Sequence, residues 1–363
     1  MDYWDIPLSD LAAGNMPLLG QYREALDRVV ASGQLILGEE VRLFEQEFAN
    51  FVGVKHAVGV GNGTDALVLS LMVCGIGVGD EVITVANSFL ASASCIALCG
   101  ATPVFADIGE DLNICPQSLE KKITDRTKAV IAVHLTGRPA RMAELSEIAR
   151  RNGVQMIEDA SQAAGASING VRTGAFGDIA AFSLHPSKTL AALGDGGVIT
   201  TNDAAAAKFL RVARNHGLDE GRCLFWSHNS RLDELQASFL RIKLRYLDEN
   251  NQKRRNIAQY YTERLSPYVE CAKPDPSILC AYHLYIIQTD KRDELKDYLA
   301  DFGVQAMVHY PALTMEHSAA AGTLAEGLPN SKMAASRILS LPVHESLSKE
   351  EVQKIAQKVI DFF

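Results

Sequence analysis

Three groups of residues in this 363-residue chain are spaced to do chemistry together. The first is an acid at the end of an apolar run, Met156-Ile157-Glu158-Asp159, followed by Ala160-Ser161-Gln162. The second lies further along the chain and holds Lys188, in Phe182-Ser183-Leu184-His185-Pro186-Ser187-Lys188, and continues into Gly194-Asp195-Gly196-Gly197. The third is the turn Gly61-Asn62-Gly63-Thr64-Asp65-Ala66. An acid at the C-terminal end of a buried strand stands where open α/β sheets bind ligands. A lysine held at the same edge loses solvation, so its amine is neutral more of the time and can form a Schiff base. A glycine turn feeding a helix offers backbone N–H groups and a positive dipole end to a phosphate.

The turn admits more than one phosphorylated ligand. It fits G-x-G-x-x-A between a strand and a helix, and Glu81 follows Gly61 at the spacing of a ribose-binding acid. That pattern describes an NAD-dependent dehydrogenase of sugar nucleotides. Against it, Asp65 would adjoin the pyrophosphate, and a long, mostly helix-like stretch precedes the strand at His56. The ordered set of turn, acid and lysine answers instead to pyridoxal 5′-phosphate. The acid keeps the ring nitrogen protonated, so the ring accepts electrons from a substrate carbanion, and the lysine forms the Schiff base and moves the proton. A third possibility keeps the cofactor and drops the turnover: a non-catalytic, cofactor-binding regulatory protein.

Positioning those residues takes an α/β fold. His56–Gly61, Glu81–Ala86, Thr102–Asp107, Ala129–Leu135 and Val154–Glu158 read as short apolar strands, and helices at 64–74, 89–99, 116–123 and 139–152 alternate with them. Such alternation implies a large domain with a mostly parallel, seven-stranded-type sheet flanked by helices. Ile179–Ser183 and Gly197–Thr201 follow without a long helix between them, which suggests an antiparallel pairing. Residues 204–216 read as helix, and 231–265 as one long helix, straight or kinked, leading to a smaller α+β C-terminal domain. There, strands are expected at Ala281–Thr289 and Val304–Tyr310, a helix at 292–302, and a last helix opened by the capping box Ser348-x-x-Glu351. The expected organisation is an N-terminal helical segment over 1–50 packing on the small domain or a partner subunit. A large domain over 51–240 and a small one over 241–363 follow it.

Composition narrows the field. Apolar residues make up 47% and charged residues 22%, which excludes disordered, collagen-like and disulfide-stapled chains. Thirty-five Lys plus Arg against 44 Asp plus Glu give −9, and without a basic run the chain is a poor nucleic-acid binder. An anionic small substrate stays compatible, because a pocket's field can oppose the global sign. No apolar stretch approaches the roughly 20 residues that span a bilayer. Met1-Asp2-Tyr3-Trp4-Asp5 has no signal-peptide character, so a cytoplasmic location is expected. The seven cysteines lack metal-ligand spacing, and Cys95 and Cys99 read as small hydrophobes in a reducing compartment, with no metal site.

Several of these motifs together carry a resemblance. They are Leu37-Gly38 before a helix, Asn62-Gly63-Thr64-Asp65-Ala66-Leu67, Gly79-Asp80-Glu81-Val82-Ile83, Glu158-Asp159-Ala160, Pro186-Ser187-Lys188, Gly194-Asp195-Gly196-Gly197, Asn229-Ser230-Arg231-Leu232-Asp233-Glu234-Leu235-Gln236-Ala237 and His309-Tyr310-Pro311. Over nearly its whole length the chain resembles the DegT/DnrJ/EryC1/StrS group of pyridoxal-phosphate aminotransferases acting on nucleotide-linked sugars, within the aspartate-aminotransferase fold type. The resemblance implies Lys188 as the Schiff-base lysine and Asp159 as the pyridinium partner. It implies Gln162 on the cofactor's phenolic oxygen, Gly63, Thr64 and Ser183 on its phosphate, and Phe89 stacked on its ring. Asn229 would reach the phosphate of the neighbouring subunit in a homodimer with shared active sites. Arg231, His309 and Tyr310 would face substrate, which is an amino-acid donor, glutamate, and then a keto sugar linked to a nucleotide. Retention of lysine, where a dehydratase branch has histidine, implies transamination. Departures fall at Thr136-Gly137-Arg138, where relatives carry an aromatic and Arg138 would add a cation near the pocket mouth, at Trp226-Ser227-His228, and at His185, which takes an aromatic's place.

Overall fold

A computed structural model describes residues 4–320 and 326–363. The central sheet has seven strands: β1 (His56–Val60), β2 (Glu81–Val85), β3 (Thr102–Ala106), β4 (Thr127–Val133), β5 (Gln155–Asp159), β6 (Ile179–Ser183) and β7 (Gly197–Thr201). They lie in the order β1-β7-β6-β5-β4-β2-β3. Strand β7 runs antiparallel to both neighbours, as the missing helix before it suggests, and the other neighbours are parallel. Strands β2 and β7 are buried along their whole length, which is why their sequences show no alternation.

Helices α1 (Leu19–Ser32), α2 (Glu39–Val52), α3 (Gly63–Val73), α4 (Ala91–Leu98), α5 (Pro116–Lys122), α6 (Met142–Asn152) and α7 (Ala204–Ala213) precede, separate or follow these strands. After β7 and α7 come α8 (Glu234–Leu244) and α9 (Leu247–Leu265), then α10 (Arg292–Asp301), α11 (Pro329–Arg337) and α12 (Lys349–Phe362). One sheet face packs on α3 and α6. The other packs on α2 and α8, where Val41, Phe44 and Phe48 at helical spacing meet Phe182 and Leu240.

The C-terminal unit is a three-stranded antiparallel sheet of β8 (Glu270–Cys271), β9 (Tyr285–Gln288) and β10 (Ile338–Leu341), covered by helices around Tyr261, Leu295 and Ile355. Helix α12 opens with the expected reciprocal cap between Ser348 and Glu351.

The differences from the sequence reading have physical causes. The stretch 231–265 forms two helices, because α9 starts in the large core at Leu247 and must turn to end in the C-terminal core at Tyr261 and Leu265. The strand expected over 281–289 begins only at Tyr285. Before it, Tyr282 takes φ +47°, and the N–H groups of Ala281 and Leu284 donate to Gly137 and Thr136 of the large unit. Residues 304–310 form isolated bridges rather than a strand, and the sheet's third strand is β10, which follows α11 without a loop. The N-terminal segment over 1–50 does not pack as one piece. Ile6 joins the C-terminal core, Tyr22 of α1 packs its ring 5.1 Å from Phe239, and α2 belongs to the large core. Residues 1–3 lie outside the described residues.

Candidate active site

A cavity of about 740 Å³ opens at the edge where the parallel strands end, and several strand ends contribute to it. Asn62–Asp65 follow β1, Ser88, Phe89 and Ser92 follow β2, Asp159, Ser161 and Gln162 close β5, and Ser183, His185, Ser187 and Lys188 close and follow β6. Asp195 precedes β7, and the C-terminal unit supplies His283, His309 and Tyr310.

The turn after β1 is built by Asn62 as N-cap: its Oδ1 accepts from the Asp65 N–H at 2.8 Å. Among the described residues the N–H groups of Gly63 and Thr64 have no partner, so two amides at a helix N-terminus remain for an anion. Asp65, the awkward acid of this turn, is occupied by Asn62 Nδ2 at 3.0 Å and by the Ser230 hydroxyl at 2.6 Å. The turn presses on β6. A Cβ on Gly63 would lie 2.6 Å from that of Ser183, and one on Gly197 would overlap the Asn62 carbonyl. These glycines are required by close approach, and the Ser183 hydroxyl thereby lies beside the free amides.

On β5, the buried Asp159 accepts from Ser92 Oγ at 2.7 Å on Oδ2 and from the Ser161 N–H at 3.2 Å on Oδ1. Gln162 accepts the Thr136 N–H at 2.7 Å and donates to the Tyr310 hydroxyl at 3.3 Å. Thr136 holds this bond at φ +64°, a left-handed conformation costly for a β-branched residue. Lys188 follows a tight turn closed by its own N–H on the His185 carbonyl at 2.8 Å. Burial lowers its amine from 10.5 to about 8, although the Asp159 charge pulls the other way. His309 is lowered to about 4 by burial and then by Lys188, and its Nδ1 lies 2.9 Å from Ser340 Oγ. Burial, followed by the Lys188 charge, depresses His283 well below its ordinary value. Both imidazoles are therefore neutral at pH 7. Burial raises Tyr310 to about 12.

Most of the residues singled out from sequence meet at this cavity. Lys188, Asp159, Gln162, Gly63, Thr64, Ser183, Phe89, His309 and Tyr310 line it, with the Phe89 ring 6.0 Å from that of Tyr310. Arg231 does not: its Nη1 donates to Asn215 at 2.9 Å, outside the cavity. Asn229 is exposed on the segment bridged to Asn215 and is also absent from this chain's cavity wall. Arg138 is not at the mouth of this cavity either. It lines a separate cleft of about 190 Å³ and donates to the Lys273 carbonyl at 2.9 Å. Ser88, Ser92, Ser161 and His283 were not singled out. Ser88 and Ser92 could have been, because they closely follow a strand that ends on this edge; His283 arrives from the other unit with no local signal.

The dehydrogenase pattern fails on topology. Glu81 begins β2 at the opposite edge, bonded to Thr124 at 2.6 Å and Arg126 at 2.5 Å, and four strands separate β2 from β1. The residues present do fit pyridoxal phosphate: two free amides and a hydroxyl for its phosphate, an acid for its ring nitrogen and a buried amine for its carbonyl carbon.

Known proteins agree with this geometry. A dTDP-3-amino-3,6-dideoxy-alpha-D-galactopyranose transaminase of Aneurinibacillus thermoaerophilus is 43% identical over 357 residues, covering 98% of each chain. A UDP-N-acetyl-3-dehydro-alpha-D-glucosamine 3-aminotransferase of Acidithiobacillus ferrooxidans is 38% identical over 97% of this chain and 96% of its own. The crystal structure of S. venezuelae DesV in complex with a ketimine intermediate superposes with a TM-score of 0.95 at 38% identity, over 100% of this chain and 99% of that one. The chain belongs to the DegT/DnrJ/EryC1/StrS aminotransferase family, which depends on pyridoxal phosphate and which it matches over residues 20–360.

Proposed function

We propose that this enzyme moves an amino group from L-glutamate to a keto group at carbon 3 of a nucleotide-linked sugar, in amino-sugar biosynthesis. The observation that carries the proposal is Lys188, an amine lowered to about 8 on the same cavity as the Asp159 carboxylate and the free helix N-terminus. When bound, pyridoxal phosphate supplies the electron sink for a carbanion at the substrate carbon. Lys188 holds the cofactor's carbonyl carbon and moves the proton at the reacting carbon. Asp159 would partner the ring nitrogen, Gln162 the phenolic oxygen, and Phe89 would stack on the ring. Gly63, Thr64 and Ser183 hold the phosphate, while His309 and Tyr310 line the sugar side. Both relatives above are named for an amino group at carbon 3, whereas their nucleotides differ.

Charge supports a shared site. Lys188 is the only Lys or Arg among the described residues lining the cavity, which also holds Asp65, Asp159 and Asp195. A phosphate and a dicarboxylate donor need more positive charge than that. Asn229 and Arg231, outside their own cavity, are proposed to serve a second copy's site, and Trp226 nearby is 91% exposed, as an intersubunit contact requires. The proposed compartment is the cytoplasm, in keeping with seven unpaired thiols.

The test is incubation with pyridoxal phosphate, L-glutamate and a panel of dTDP- and UDP-linked 3-keto and 4-keto sugars, read by mass spectrometry. One 2-oxoglutarate should appear per amino sugar, with the 3-keto sugars preferred. Turnover confined to 4-keto sugars overturns the assigned carbon. Absence of 2-oxo acid from every amino acid tried returns the protein to the non-catalytic alternative.

A further inference from the structure

Two serines beside Asp159 carry an inference that rests on the reading of Asp159 as the ring-nitrogen partner. Ser92 Oγ lies 2.7 Å from Asp159 Oδ2, and Ser88 Oγ lies 2.9 Å from Ser92 Oγ. All three residues are buried, at 5% exposure for Ser88, 2% for Ser92 and 5% for Asp159. An ionised carboxylate only accepts, so the single hydroxyl proton of Ser92 goes to Asp159. The contact between the serines can then be made only by the Ser88 proton. The chain of donation runs one way, Ser88 to Ser92 to Asp159, and each bond polarises the next.

The scaffold holds this order in place. Ser92 stands in the first turn of α4, where a serine often bonds a backbone group of its own helix; here its proton goes to the carboxylate instead. The Ala86–Ser88 loop is pinned by Thr314, whose N–H and hydroxyl both donate to the Ala86 carbonyl, at 2.8 and 2.9 Å. Thr314 belongs to the segment that follows His309 and Tyr310.

We infer that Ser88 and Ser92 form a positioning relay that fixes the Asp159 carboxylate plane and reserves Oδ1 for the cofactor's ring nitrogen. A short bond occupies Oδ2. On Oδ1 the single contact among the described residues, from the Ser161 N–H at 3.2 Å, is at the long end of the hydrogen-bond range and leaves a lone pair. Without Ser92 the carboxylate loses its shortest donor, keeps more of its negative charge unshared, and draws toward itself the proton it shares with the ring.

The relay is tested in holoenzyme reconstituted with cofactor labelled at the ring nitrogen, by the 15N resonance and by the dissociation constant for pyridoxal phosphate. Ser92→Ala should move the resonance toward the neutral-pyridine value and weaken cofactor binding about tenfold, as expected for removing a hydrogen bond to a charged group. Ser92→Thr, which keeps the hydroxyl, should restore both, and Ser88→Ala should shift both in the same direction by less. A Ser92→Ala enzyme with the wild-type resonance and affinity, while Asp159→Asn moves them, overturns the relay alone. If Asp159→Asn also leaves the resonance unmoved, the carboxylate does not face the ring, and the relay falls with that reading.

Discussion

Glu158 and Asp159 are neighbours on β5, and the two sides of that strand use the same chemistry for opposite ends. Glu158 lies off the cavity and is wholly buried. Its oxygens accept the N–H groups of Gly174, Phe176 and Gly177, each at 2.8 Å, and His134 Nε2 at 2.9 Å. His134 Nδ1 accepts the Ala140 N–H at 3.0 Å, so the imidazole proton resides on Nε2 and is donated to the carboxylate. Four donors leave Glu158 nothing to offer a ligand. Asp159 has two, one of them long, and faces open space. A saturated buried carboxylate ties chain segments together, whereas an unsaturated one on a cavity is available for work.

The comparison can be broken in order of effect. Lys188→Ala, on the cavity side, should reduce turnover on the order of 10³-fold or more, since the proposed covalent attachment and proton transfer would both be lost; turnover within tenfold of wild type would remove the lysine from the chemistry. Asp159→Asn should cost about 10²- to 10³-fold in kcat, the scale of one electrostatic partner in a site, with the apo-protein's unfolding midpoint almost unchanged. Glu158→Gln should do the reverse. Its amide turns a donor toward backbone donors, so stability in urea should drop by about 3 kcal/mol while the surviving folded enzyme keeps its kcat. Equal stability losses for the two substitutions would erase the distinction between the sides. A smaller effect is expected of Gly63→Ala, whose Cβ would meet Ser183: overpacking costs about 1–3 kcal/mol and should be read as weaker cofactor binding by titration.

The sequence was most legible where one strand end carries one role. The seven strands fell within a residue or two of their expected spans because buried parallel strands are continuous apolar runs bounded by turns. Lys188, Asp159 and the Gly63 turn were readable because each ends or closely follows such a strand. The C-terminal unit was less so. Its strand over 338–341 follows a helix without punctuation, and 281–284 reads as strand but is drawn to Gly137 and Thr136 by hydrogen bonds no local pattern reveals. Arg138 and Arg231 looked like pocket cations from their places in the motifs alone. Their positions depend on which way a loop turns, and one guanidinium nitrogen of each is held by a neighbouring oxygen away from this cavity, the Lys273 carbonyl and the Asn215 side chain.

The finest distinction between the two sides of β5 concerns protons. Burial lowers the Lys188 amine from 10.5 to about 8, and Asp159 opposes that shift. Only a neutral amine can add to a carbonyl carbon, so, on the role proposed for Lys188, the rate at which the apo-enzyme takes up pyridoxal phosphate should rise with pH and reach half its plateau near pH 8. An exposed lysine would still be gaining at about pH 10. The stability sign follows from the same shift. Between about pH 8 and 10.5 the unfolded lysine holds a proton that the folded one has lost, so the apo-protein gains stability across that window as pH rises. The desolvation penalty is present in full below it. Removing the cavity-side charge in Asp159→Asn withdraws the attraction that favours the ammonium form, and the loading midpoint should move below 8. Glu158→Gln, on the far side and already saturated by its four donors, should leave the midpoint where it is. A midpoint that moves equally in both variants would mean that the Lys188 amine responds to the sheet as a whole, and the two sides of β5 would then not be electrostatically separate.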